Sequence, residues 1–257
     1  MFSDAPRCRY GKPQLIEVVC QLRFPTILKI ENQSPYEFQE LIRGEYPNYS
    51  FKEEHPPAQP NAPKQSVKNH QFVSLDGGWK VNLTQSFVSL STHRYSTWED
   101  FAKRLDRILA HVIGVYKPAC FNRVGLRYIN AINRERLDLE GTGWRELIQP
   151  AYLGVMADED VPETAFGKNE QTVNLALPGG ARCGIKCGQG TLHKVNNKTR
   201  ETVDESVYML DIDVYMDGNI GMSHTAAGLN IVHTHADSVF RGAITDTLHE
   251  AMEPQEI

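Results

Sequence analysis

Three strands of this sequence carry charged residues at the spacing that turns side chains to a common side. Glu17 and Arg23 lie in LIEVVCQLRF, Arg123 and Arg127 in FNRVGLRYINAI, and Asp211 and Asp213 in VYMLDIDVYM. Side chains two apart in a strand share a face. Asp211 and Asp213 can therefore present two carboxylates to one divalent cation, which favours oxygen ligands. Arginines opposed across strands can clamp a phosphate through their planar forks. If the three strands are sheet neighbours, the six residues form a charged patch or line a cavity. The plainer alternative is that they pair across strands as ions on a solvated face.

Other groupings are weaker. His233-Thr234-His235-Ala236-Asp237 would put both imidazoles on one side of a strand. The surrounding apolar period is helical, and on a helix residues two apart do not face each other. Only His233 and Asp237 could then meet, whereas zinc helices use histidines four apart. Cys183 and Cys187, with Ile185 between them, read as core thiols, because no second pair stands at zinc spacing. Gly188-Gln189-Gly190 fits neither a P-loop nor a dinucleotide fingerprint, and no Gly-x-Ser-x-Gly elbow is present. Lys186, Lys194, Lys198 and Arg200 are basic without interleaved aromatics and read as a solvated loop. No metal and no cofactor is expected from these patterns.

The elements that must position these residues come from periodicity. Leu15–Phe24 and Val207–Met216 alternate as strands, and Phe121–Ile132 reads as a long strand. Phe72–Thr92 reads as a meander turning at Asp76-Gly77-Gly78, and Val173–Leu177 with Ala181–Gly188 as a hairpin around Pro178-Gly179-Gly180. Ser34-Pro35-Tyr36-Glu37 opens a short helix with a serine cap. Ser96–Tyr116 is the clearest helix, with Ser96 and Glu99 as a capping box and Trp98, Phe101, Leu105, Ile108 and Val112 on one stripe. Thr142–Ile148 reads as a short helix ended by Pro150, and about Thr225 to Met252 as one long helix. His55–Pro63, with four prolines, is a loop. Gly190–Glu205 reads as a polar connection.

Strands in runs separated by a few helices imply α+β, with mostly antiparallel sheet. The expected organisation is one domain over 1–257, with 1–134 and 135–257 as candidate similar halves. Lys and Arg total 27 against 32 Asp and Glu, a net charge of −5, and apolar residues are 40% of 257. That combination excludes a disordered chain and gives no global attraction to nucleic acid or anionic lipid. No apolar run approaches the roughly 20 residues of a membrane span. Five scattered cysteines and no leader-like N-terminus lead us to expect a cytoplasmic protein with free thiols.

Four segments in order carry a resemblance: Tyr10–Val18 through Arg23-Phe24-Pro25, Gly125–Asn130, Leu210–Asp213, and the final helix with His235, Phe240, Ile244, Thr245 and Leu248. Together they resemble a family of bacterial proteins, of undetermined activity, distributed sporadically among genomes. Such patchy occurrence implies mobile genes, including anti-phage and toxin-linked loci. The expectation is a non-catalytic binding protein, an adaptor, sensor or neutraliser of a protein partner. The alternative is a metal-dependent hydrolase or phosphodiesterase built on Asp211 and Asp213.

Overall fold

The computed structural model describes residues 1–54, 66–195 and 202–256. Its strands are β1 (Cys8–Tyr10), β2 (Leu15–Arg23), β3 (Asn48–Glu54), β4 (Val67–Val73), β5 (Trp79–Leu83), β6 (Phe87–Thr92), β7 (Phe121–Ile132), β8 (Gln171–Ala176), β9 (Ala181–Val195), β10 (Thr202–Ile220) and β11 (Pro254–Glu256). Its α-helices are α1 (Leu28–Asn32), α2 (Tyr36–Ile42), α3 (Trp98–Tyr116), α4 (Trp144–Leu147), α5 (Pro150–Leu153), α6 (Thr225–Ala243) and α7 (Asp246–Ala251). Helix (34%) and strand (39%) are nearly balanced, with antiparallel pairing, so the fold is α+β.

The chain forms two compact units that interleave along the sequence. One comprises Glu17–Leu126 and Tyr215–Leu229; the other comprises Met1–Ile16, Arg127–Val214 and Asn230–Ile257.

In the Glu17–Leu126 unit the strands are ordered β3-β4-β5-β6-β2-β7. Antiparallel registers align residues of like polarity. One row runs Phe72–Val81–Leu90–Cys20 and is wholly buried. Helices α2 and α3 cover that side: Phe38 meets Phe72 with ring centroids 5.5 Å apart, and Phe101 meets Trp79 at 5.9 Å. Burying such rows is the main stabilising term, about 25 cal/mol for each Å² of apolar surface. The row on the opposite side runs Ser50–Gln71–Asn82–Ser89–Gln21. A one-residue slip would exchange these rows, so the pattern pins the register.

In the other unit the order is β7-β10-β9-β8, and β1 pairs separately with β11. The Tyr152 carbonyl gathers this core. It accepts from Gln171 Nε2 at 2.6 Å, from Cys187 Sγ at 3.3 Å and from the Tyr208 hydroxyl. Cys183 and Cys187 are both buried, and burial with the nearby Asp213 charge pushes the Cys183 thiol up to about 12.

Several elements differ from the sequence expectations. Thr97, not Ser96, caps α3, its hydroxyl accepting from the Asp100 amide at 3.2 Å. Helix α2 starts after Pro35 with no side-chain cap. Pro150 opens α5 as its first residue, where its missing amide costs nothing. The long C-terminal helix is two. Ile244 forms a bridge with Ile148, and Thr245 caps α7 by accepting from the Leu248 amide, so α6 must stop at Ala243. Gly190–Glu205 is not simply a connection, because β9 runs to Val195 and β10 starts at Thr202. The proline-rich His55–Pro63 segment lies outside the described residues, as do Lys198 and Arg200. β3 and α1 had no counterpart in the sequence reading.

Candidate functional site

In the Glu17–Leu126 unit, an open cleft of about 650 Å³ lies at the end of β2, β6 and β7. Each wall is placed by a local rule. Arg23 is the last residue of β2 and stands opposite Phe87 of β6. Beyond it, the chain stays zipped to the turn before β6: the Phe24 amide donates to the Ser86 carbonyl at 2.9 Å, and Ile27 donates to Gln85 at 2.8 Å. Phe24 is buried against Phe121, 6.5 Å between centroids, which anchors the floor to the core. Asn122 and Arg123 contribute from β7, and Asp217 from β10.

Two arginines dominate the lining. Arg23 Nε donates to Gln21 Oε1 at 2.8 Å, which fixes the plane of its fork. Among the described residues, Arg23 has no carboxylate partner. The Arg123 guanidinium lies over the Tyr215 ring, 3.8 Å from its centroid, a cation–π stack. Gly125 makes room for it, because a Cβ there would stand 3.2 Å from Arg123 Nε and 3.4 Å from Tyr215 Cβ. That is the use of a glycine in mid-strand.

The sequence candidates separate. Arg23 and Arg123 line one cleft. Arg127 and Asp211, in the other unit, hold each other: Nε to Oδ1 at 2.7 Å and Nη2 to Oδ2 at 2.6 Å. Asp211 is thereby engaged as an ion pair and not set out as half of a cation site. Glu17 is half-buried on β2, and Asp213 is half-buried on β10. His233 is buried, with Nδ1 3.0 Å from the Tyr128 hydroxyl. His235 points elsewhere, its Nε2 3.1 Å from the Pro178 carbonyl. Burial raises the Asp237 carboxyl from its ordinary 3.8, with Arg7 and Arg241 pulling the other way. Among the described residues no three His, Cys, Asp or Glu side chains gather as a metal ion requires.

Asn122, Ser86, Thr26 and Asp217 escaped the sequence reading. Asn122 is adjacent to Arg123, but it sits off the face that the alternation assigns to the arginines. Asp217 lies past the apolar alternation of β10 that ends near Met216. Only the extension of β10 to Ile220 brings it to the cleft.

Chemically, the cleft offers forked cationic donors, an amide and two hydroxyls around an aromatic edge. That set binds and orients a charged group. Comparison with known protein families and with curated proteins gives no match to either.

Proposed function

We propose that this chain is a non-catalytic binding protein whose ligand surface is the polar sheet face of the Glu17–Leu126 unit. The observation that carries the reading is the union of two features. The row Ser50–Gln71–Asn82–Ser89–Gln21 crosses the sheet opposite the helices, and the arginine cleft stands at its β2 end. Rigid strands preorganise such a surface, so little side-chain entropy is lost when it is covered. The partner in this reading is a protein, and the protein acts in the cytoplasm as an adaptor, sensor or neutraliser. The resemblance to a sporadic bacterial family adds a link to a defence- or toxin-type locus.

The metal-hydrolase alternative loses support at Asp211, which Arg127 holds in a two-bond pair. The test is affinity isolation of the full chain from its native host, with co-purified protein, nucleic acid and metal quantified together. A stoichiometric protein partner supports the reading. Recovery with a bound divalent ion or nucleotide and no protein contradicts it.

A further inference from the structure

We propose that the β2/β6/β7 cleft is a receptor for a single carboxylate, the group by which an acidic peptide segment would be held. The inference rests on the binding-protein reading and assigns the chemistry of its anchor point. Three observations carry it.

First, Arg23 presents a fork already oriented. Its Nε is committed to Gln21 Oε1, and its two terminal nitrogens have no protein acceptor among the described residues. An oriented fork is suited to planar, two-oxygen recognition. Second, the neighbouring Arg123 is held flat on Tyr215, so it lends charge from a fixed position. Third, Asp217 lines the same cleft and has no cationic partner among the described residues. Two guanidiniums against one carboxylate leave one net positive charge. That matches a carboxylate and leaves a phosphate dianion under-compensated, since a like charge nearby disfavours the second negative charge. The Asn122 amide and the Ser86 and Thr26 hydroxyls supply further polar groups along the wall, and Phe87 gives it an apolar edge.

The volume fits a side chain with its flanking backbone. Pockets of about 300–1,000 Å³ hold small ligands. Nothing in the lining supplies the run of stacking platforms that single-stranded nucleic acid uses.

The experiment is a titration of the full ¹⁵N-labelled chain, following the arginine Nε–Hε resonances. Four short peptides serve as probes. The first has an internal Glu and an amidated C-terminus. The second has Gln in its place and a free C-terminus. The third has Gln and an amidated C-terminus. The fourth has phosphoserine in place of Glu. The expected result is a saturable shift at Arg23 with the first or second peptide and none with the third; which of the two binds tighter identifies a side-chain or a terminal carboxylate. Arg23→Ala weakens that binding about tenfold or more, as loss of a charge-assisted pair does. Arg43→Ala leaves it unchanged. Asp217→Asn strengthens phosphoserine binding relative to Glu. Equal shifts with the third peptide overturn the proposal, as does tighter phosphoserine binding by the wild-type chain. Arg23 is exposed at a strand end, so its variants fold; amide spectra superimposable on wild type verify that. The titration needs no partner. A shift at Arg23 with no protein recovered from the host keeps the carboxylate site and removes the reading beneath it. A partner recovered with no shift does the reverse.

Discussion

Arg127 and Asp211 form a forked ion pair, with Nε–Oδ1 at 2.7 Å and Nη2–Oδ2 at 2.6 Å. The aspartate is largely covered, at 14% side-chain exposure, and the arginine is half open, at 45%. An exposed pair contributes little, but two aligned bonds on a strand-held carboxylate place this one at about 1 kcal/mol. Arg127→Lys, which cannot make the fork, should lose most of that in urea unfolding. Asp211→Ala should lose a similar amount and leave divalent-cation affinity unchanged. A cation that binds the wild type and not Asp211→Ala would restore the metal reading.

The cap of α3 separates two residues that the sequence cannot tell apart. Thr97 accepts from Asp100 N at 3.2 Å. Thr97→Ala should therefore cost about 1 kcal/mol, while Ser96→Ala should stay within about 0.5 kcal/mol, as surface changes usually do. Chemical denaturation of the two variants checks this, and equal losses would contradict the assignment.

His70 gives stability a pH dependence. It is 3% exposed, with Nδ1 3.0 Å from the Tyr49 hydroxyl. Burial, aided by the Lys68 charge, lowers its pKa from the ordinary 6.5, while the Ile30 backbone and Glu31 oppose the shift. Burial also lowers His249. A histidine with a lowered folded pKa binds fewer protons folded than unfolded. Its contribution is present above 6.5 and is lost as pH falls through the folded value. Tm should thus decline as pH drops below 6.5, and His70→Asn should flatten part of the slope. A slope unchanged in that variant would exclude His70 as a source.

Gly242 holds the first residues against α6. A Cβ there would stand 2.2 Å from the Met1 carbonyl oxygen and 2.9 Å from Phe2 Cα. The Ser3 amide donates to the Ser238 carbonyl at 3.1 Å, and Ser238 Oγ donates back to the Ser3 carbonyl at 2.8 Å. Gly242→Ala should free this segment, seen as faster hydrogen exchange at Ser3, and cost about 1–3 kcal/mol from overpacking. Unchanged protection would refute the contact.

What could be read in advance follows from which faces are buried. β7 matches its expected bounds, Phe121–Ile132, because its buried positions are apolar and its ends abut a proline and a polar turn. β3 was illegible for the opposite reason: all seven residues of Asn48–Glu54 are exposed at the sheet edge, so no alternation marks them. The break at Ile244-Thr245 was hidden because the apolar helical period continues through it. Only the bridge to Ile148 reveals it. Arg23 and Arg123 could be named as candidates from strand alternation. Their convergence, and the separate fate of Arg127, depend on strand order, which composition and period do not encode.

The most direct test of the account is recovery of the host partner by wild type and by Arg23→Glu, which reverses the charge at the cleft. The account predicts a stoichiometric protein complex with wild type and a loss of at least tenfold in affinity with Arg23→Glu, with an unchanged Tm. Full retention of the partner by Arg23→Glu would contradict the cleft as the binding surface.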